Sequence, residues 1–206
     1  MSRAAALQDL LRDARLWRGD GAAAVSAEAT GHPALDAVLP GGGWPRGAVS
    51  EILHAQPGMG ELGLAVPLLV RLTQAHRPVA FIAPRCVPYA PALAARGVAL
   101  AQVLVVETRQ AVDALWAAEQ LLHARAGAIL LWAEPDATAL RRLQLAAEQG
   151  GACALLFRGP AAARESSVAS LRLQLSRGLR GPRAPVQVQV LKCRGARPPL
   201  QYAVSA

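Results

Sequence analysis

Short apolar runs alternate with amphipathic segments through the middle of the chain. The runs predict strands at 48–53, 79–83, 102–106, 128–132 and 152–157. Between them, apolar residues at helical spacing predict helices running towards His76 and over 89–96, 111–125 and 137–149, with Trp116 in the core. Strands that are apolar on both faces and separated by helices indicate a mostly parallel sheet covered by helices on both sides, so the predicted fold class is α/β.

The two ends of the chain depart from this alternation. Near the start, an apolar stripe at helical spacing predicts an amphipathic helix over 2–18, followed by a small-residue linker up to residue 29. This stripe is expected either to dock on a partner or to pack on its own domain, and it consists of Leu7, Leu10, Leu11, Ala14 and Trp17. In the last third, strict alternation at 171–175 and 186–190 predicts two half-exposed strands of a C-terminal antiparallel extension.

Composition restricts the class of protein. Of the 206 residues, 53% are hydrophobic and 17% are charged, which is typical of a compact domain with one core and predicts one domain over 30–206. No apolar run approaches the length of a membrane span. The three cysteines are far apart and odd in number, so we expect reduced thiols and a cytoplasmic location.

Positive charge is concentrated at the C-terminal end. The net charge is +8, and the excess lies entirely beyond residue 157, where Glu165 is the only acidic residue. Such segregation is typical of a surface that meets a polyanion, although an arginine-rich composition with a solvated face is the alternative. The predicted DNA-contacting residues are Arg158, Arg164, Arg172, Arg177, Arg180, Arg183, Lys192, Arg194 and Arg197.

The segment ahead of the first long strand carries an ordered motif. Thr30-Gly31, Leu35-Asp36, a glycine cluster, Pro45-x-Gly47 and Glu51-Ile52 follow one another in the sequence. This order resembles the lead-in to the nucleotide loop of RecA-type recombinases. The similarity continues through a Walker B-like strand at 129–131 to a basic hairpin near the C-terminus, and it implies a RecA-like core over most of the chain.

The loop that follows the motif differs from a working P-loop. In a working loop, backbone N–H groups cradle phosphate, a lysine reaches the outer phosphates, and a Ser or Thr hydroxyl holds Mg²⁺. Here Gly58 and Gly60 are present, but Glu61 stands where the lysine is needed and Leu62 where the hydroxyl is needed. An anion in place of a cation repels phosphate, so this loop is a degenerate one.

Two further catalytic positions of the RecA core are also substituted. Trp132 or Ala133 occupies the position of the Walker B carboxylate, and the sequence 83–85 lacks the catalytic glutamate. We therefore predict a pseudo-ATPase that is not an enzyme and that holds neither a cofactor nor a metal. Trp132 either fills the vacated nucleotide pocket or packs as an ordinary core residue.

This combination of features resembles the ImuA family, in the loop sequence 57–62 and in the N-terminal segment 16–19. The resemblance implies a non-catalytic accessory role in error-prone translesion DNA synthesis during the SOS response, in the cytoplasm and associated with the nucleoid. It also implies two partners, an ImuB-type inactive Y-family polymerase homologue and an error-prone replicative-type DNA polymerase subunit. RecA and single-stranded DNA are two further candidate partners, and the sequence does not decide whether the chain binds either of them.

Two other functions are weighed against this one. A SulA-type cell-division inhibitor, which binds FtsZ, also resembles RecA without catalytic residues, but it needs no DNA-facing surface. The basic C-terminal quarter favours the DNA-repair role over this alternative. A divergent RecA-like NTPase is disfavoured by Glu61, Leu62 and Trp132.

Overall fold

The structure is a computed structural model that describes residues 25–177, 186–195 and 200–204. The predicted N-terminal helix and its apolar stripe lie outside these residues, as do three of the predicted DNA-contacting arginines, Arg180, Arg183 and Arg197. Within the described ranges, no helix combines the length and the apolar character that a membrane span requires.

The central feature is a large sheet, preceded by a two-stranded one. The small sheet pairs β1 (Ala27–Glu28) with β2 (Trp44–Pro45) antiparallel. The strands of the large sheet are β3 (Ala48–Leu53), β4 (Val79–Ile82), β5 (Val103–Val106), β6 (Ala128–Trp132), β7 (Cys153–Arg158), β8 (Leu171–Arg177), β9 (Val186–Cys193) and β10 (Leu200–Val204). Their spatial order is β10-β9-β8-β3-β7-β6-β4-β5. Neighbours from β8 to β5 are parallel, whereas β9 is antiparallel to both β8 and β10.

Among the described residues, one short helix precedes the large sheet, and four helices follow strands of that sheet and cover its two faces. They are α1 (Pro33–Asp36), α2 (Glu61–Gln74), α3 (Ala90–Ala95), α4 (Ala111–His123) and α5 (Ala137–Gly150). The side chain of Asp136 caps α5 by accepting the N–H of Ala139 at 2.7 Å. The α/β fold class, with a mostly parallel sheet flanked by helices and a C-terminal antiparallel hairpin, is therefore confirmed.

Two apolar cores form, one on each face of the large sheet. The first core joins α2 to alternate residues of the strands, for example Leu68, Phe81 and Leu155. The second core joins α4 and α5 to the other set of alternate residues, for example Leu122 and Leu143. Since both faces of β3, β4 and β7 are buried, these strands are mostly apolar, and their buried polar residues are Ser50, Glu51 and Arg158.

The predicted antiparallel pairing of the strands at 171–175 and 186–190 is confirmed, since β8 pairs antiparallel with β9. The sequence did not predict the other edge of β8, which pairs parallel with β3 and places Glu51 opposite Arg172. β8 is also more buried than its alternating pattern suggests, because the polar side chain of Arg172 is covered on the second face. Alternation identifies which residues share a face, but it carries no information on strand direction.

The core position predicted for Trp116 was wrong. Its side chain is 62% exposed, and Val112, one helical turn before it, is 63% exposed. The buried stripe of α4 contains Ala114, Ala118 and Leu122 instead, and its two alanines are small enough for α4 to pack closely against α5.

Candidate functional site

The loop between β3 and α2, residues 54–60, keeps the backbone form of a glycine-rich loop. Gly58 has φ +79° and Gly60 has φ +97°, both in the left-handed region that glycine adopts without strain. The loop ends directly at the N-terminus of the 14-residue helix α2. Backbone N–H groups at such a junction form a ready-made binding site for an anion.

The anion at this junction belongs to the chain itself. Glu61, the first residue of α2, is 8% exposed, and its Oε1 atom accepts the N–H of Gly58 at 2.8 Å. The partial positive charge of the helix N-terminus stabilises a carboxylate there. Leu62, at the position of the metal-binding hydroxyl, packs against the first core. Both substituted positions therefore carry structural contacts.

A row of aromatic side chains lies at the carboxyl ends of four neighbouring strands. Trp132, the last residue of β6, stacks on Phe157 of β7 with 4.5 Å between ring centroids and 10° between planes. Phe81 of β4 stacks on the other side of Trp132 at 6.2 Å, and His54, just after β3, meets Phe157 edge-on at 6.3 Å. This edge is where open α/β sheets bind their ligands. Trp132 thus packs on the first core. Its role in filling a vacated nucleotide pocket stays a prediction.

A buried charge network lies on the second face, at the same end of the sheet. The carboxylate of Glu51 in β3 is fully buried, and its Oε1 atom lies 3.0 Å from Nη1 of Arg158. Its Oε2 atom accepts a hydrogen bond from Nε of Arg172 in β8. A lone buried carboxylate is costly, and the two guanidinium groups compensate for its desolvation.

Two further carboxylates complete the network around Arg158. Its Nε atom lies 2.8 Å from Oε2 of Glu134, and its Nη2 atom lies 2.9 Å from Oε2 of Glu165. Burial alone lowers the pKa of the Arg158 guanidinium. Its hydrogen bonds to Glu134, Glu51 and Glu165 outweigh that effect, so its pKa lies above the ordinary value. The guanidinium therefore stays charged, and each of its nitrogens has a partner.

The assignment of Arg158 and Arg172 to a DNA-contacting surface was wrong. Their side chains are 4% and 7% exposed. The remaining nitrogens of Arg172 donate to the backbone carbonyls of Glu165 and Ala162. Neither guanidinium can reach a phosphate without breaking this buried network, because each of its nitrogens already donates to an acceptor inside the fold.

The other predicted DNA-contacting residues within the described ranges lie at two separate places. Arg177, at the end of β8, donates from Nη2 to the carbonyl of Gly58 at 3.1 Å and so lies beside the degenerate loop. Lys192 lies opposite Arg172, near the start of β8, and its Nζ atom donates to the carbonyl of Ser167 at 2.6 Å. Arg172 and Arg177 are about 17 Å apart along the strand, at ~3.3 Å per residue.

Arg164 and Arg194 are both exposed and belong to the end of the molecule that carries Lys192. Arg194 follows β9 directly, and its N–H donates to the carbonyl of Ser170 at 2.8 Å. Burial, then the charges of Arg172 and Arg194, lower the pKa of the Lys192 ammonium. The structure thus brings Lys192 and Arg194 together but leaves Arg177 apart from them.

The sequence interpretation missed Glu51 as the centre of a network. The signal was present, because a glutamate inside the apolar strand at 48–53 must find cationic partners when both faces of that strand are buried. In the described part of the chain, no group of three or more His, Cys, Asp or Glu side chains is arranged to hold a metal ion.

Comparison with known proteins identifies the family. No family model matches the chain. Two curated relatives, both named Protein ImuA and from the NA1000 and CB 15 strains of Caulobacter vibrioides, are each 31% identical to it over 194 residues. The alignment covers 82% of this chain and 79% of each relative. At this identity and coverage, the chain belongs to the ImuA family.

Proposed function

We propose that this chain is a non-catalytic accessory protein of error-prone translesion DNA synthesis in the DNA-damage response. The observation that carries the proposal is its membership of the ImuA family along most of its length. Its expected partners are an ImuB-type inactive polymerase homologue and an error-prone replicative-type polymerase subunit, with RecA and single-stranded DNA as further candidates. The chain acts in this process by binding other proteins and catalyses no reaction itself.

The absence of catalysis is part of the proposal, and the loop supports it. A phosphate bound to the N–H of Gly58 would meet the carboxylate of Glu61, which already accepts that N–H at 2.8 Å. Two unit charges of the same sign at 4 Å repel by about 4 kcal/mol at an effective dielectric constant of about 20. At the Walker B position, the indole of Trp132 stacks between two phenylalanines and offers no oxygen to a metal.

Calorimetry with Mg-ATP and a turnover assay, each with and without single-stranded DNA, test this part of the proposal. We expect no saturable heat and no release of phosphate above a protein-free blank. Micromolar affinity for ATP, or hydrolysis that Glu61→Ala abolishes, would reverse the conclusion and favour a divergent NTPase.

The cellular role is tested in a strain that lacks the gene for this chain. We expect damage-induced mutation frequency to fall to the spontaneous level, and expression of the wild-type chain to restore it. A pull-down from DNA-damaged cells should recover polymerase subunits. Recovery of FtsZ, together with filamentous cells after overproduction, would instead favour the SulA-type inhibitor.

A further inference from the structure

The junction between β3 and α2 contains an anion held as a bound phosphate would be held. Gly58 and Gly60, with φ +79° and +97°, bend the loop so that it leads directly into the N-terminus of α2. The N–H of Gly58 donates to Oε1 of Glu61 over 2.8 Å. An oxyanion, a backbone N–H and a helix N-terminus are the components of phosphate binding in loops of this kind.

The carboxylate of Glu61 is held inside the fold. Only 8% of the residue is exposed to solvent. Its Oε2 atom has no hydrogen-bond partner among the described residues. A surface glutamate at the start of a helix would keep both oxygens in water. The hydrogen bond from Gly58 is therefore the polar contact that holds this buried carboxylate against the loop.

A second contact holds the same glycine from the other side. Nη2 of Arg177, at the end of β8, donates to the carbonyl of Gly58 at 3.1 Å. The N–H of Gly58 is thus bound by an anion and its carbonyl by a cation. Both groups come from this chain, one from α2 and the other from β8.

We propose that Glu61 is an intramolecular ligand that replaces phosphate and holds the nucleotide-type loop in one conformation without a nucleotide. The loop then serves as a fixed structural element, and its shape does not depend on ATP. This inference concerns the isolated domain and does not rest on the role in DNA-damage mutagenesis.

Amide hydrogen exchange of the full chain tests the proposal residue by residue. In the wild type, the N–H of Gly58 should be protected although it lies in a loop, and inorganic phosphate should leave its exchange rate unchanged. In Glu61→Ala, the same N–H should exchange about tenfold faster, as expected for the loss of one hydrogen bond. Phosphate should then restore protection in this variant, whereas sodium chloride at equal ionic strength should not.

Two further variants separate the contact from general effects of charge. Glu61→Gln keeps an oxygen that can accept the N–H of Gly58, so it should retain most of the protection. Asp113→Ala removes an exposed carboxylate from the first turn of α4 and should leave the loop unaffected. If Glu61→Ala fails to fold, unprotected exchange of the Gly58 N–H in either the wild type or Glu61→Gln would overturn the inference.

Three results would overturn the inference. The first is exchange of the wild-type Gly58 N–H at the rate of an unstructured chain. The second is equal protection of this N–H in the wild type and in Glu61→Ala. The third is a failure of phosphate to restore protection in Glu61→Ala, which would reduce Glu61 to an ordinary helix-end contact.

Discussion

Nη1 of Arg158 lies 3.0 Å from Oε1 of Glu51, and the two residues, 107 positions apart in the sequence, are both buried. The pair joins the end of β7 to the middle of β3, and Arg172 extends it to β8. Three adjacent strands are thus connected on the second face by a single carboxylate, in a region where neighbouring positions are filled by apolar side chains.

Removal of the charge of Glu51 should destabilise the domain strongly. Glu51→Gln leaves two buried guanidinium groups facing a neutral amide, and breaking a buried pair of this kind costs about 3 kcal/mol or more. Urea denaturation measures the change in the free energy of unfolding. The control is Glu165→Gln, because this carboxylate contacts the same arginine but is 56% exposed and should contribute less than about 1 kcal/mol. Equal effects of the two variants would contradict the importance of the buried pair.

The aromatic row should contribute to stability through Trp132. Trp132→Ala removes the ring between Phe81 and Phe157 and should cost about 3 kcal/mol of unfolding free energy. Trp132→Phe keeps a stacked ring and should cost less than about 1.5 kcal/mol. Denaturant unfolding measures the free energy of unfolding of both variants and shows whether Trp132→Ala is the less stable one. A Trp132→Ala variant as stable as Trp132→Phe would show that the stack is unimportant.

The three cysteines should differ sharply in reactivity. Burial raises the pKa of the Cys153 thiol to about 12 and that of the Cys193 thiol to about 11, whereas Cys86 is exposed. Because the thiolate is the reactive form, a thiol reagent at mildly alkaline pH should label Cys86 rapidly. The other two should react only after denaturant is added. Mass spectrometry of the labelled peptides checks this, and rapid labelling of native Cys153 would contradict the burial described here.

The proposed contact with DNA should depend on salt and on the segment that begins at Arg177. If about four cationic side chains meet phosphates of single-stranded DNA, log K should fall against log salt with a slope of about −3. Charge reversal at Arg177, Arg180 and Arg183 should make that slope shallower by about 2. Fluorescence anisotropy at several salt concentrations measures it. Arg141→Glu, on the exposed side of α5, is the control and should leave the slope unchanged. A flat salt dependence in the wild type would remove DNA from the list of partners.

The N-terminal stripe should act in partner binding if it does not pack on its own domain. Leu10→Asp combined with Trp17→Ala should then abolish recovery of the polymerase subunits in a pull-down, since buried aromatic anchors dominate interfaces. The melting temperature of the isolated domain should barely change. A large fall in that temperature would assign the stripe to the core, and an unaltered pull-down would remove it from the interface.

The strands could be predicted where local sequence alone determines them. The apolar run at 128–132 matches β6 residue for residue, because it is bounded by Gly127 and by charged residues that follow the strand. The parallel pairing of β8 with β3 could not be predicted, since alternation is the same in parallel and antiparallel strands. The partners of Glu51 were also inaccessible, because they are 107 and 121 residues away and only the folded sheet brings them together.

The sequence predicted that the loop lacks its phosphate-binding lysine and its metal-binding hydroxyl. Only the structure shows which contacts the substituted residues make. From the sequence, Glu61 marks the absence of a lysine that would bind phosphate. In the fold, its carboxylate accepts the N–H of Gly58. Sequence comparison with a working P-loop identifies the substituted position, but it does not give the direction in which the new side chain points.

The contact between Glu61 and Gly58 also bears on energy supply in the cell. A domain that is stabilised by a bound nucleotide gains stability with the logarithm of the free nucleotide concentration, so it weakens when that concentration falls. A carboxylate attached three residues from the N–H that it binds is present at an effective concentration fixed by the chain. If Glu61 replaces phosphate as proposed, we expect the folded population of this domain to be independent of the ATP concentration.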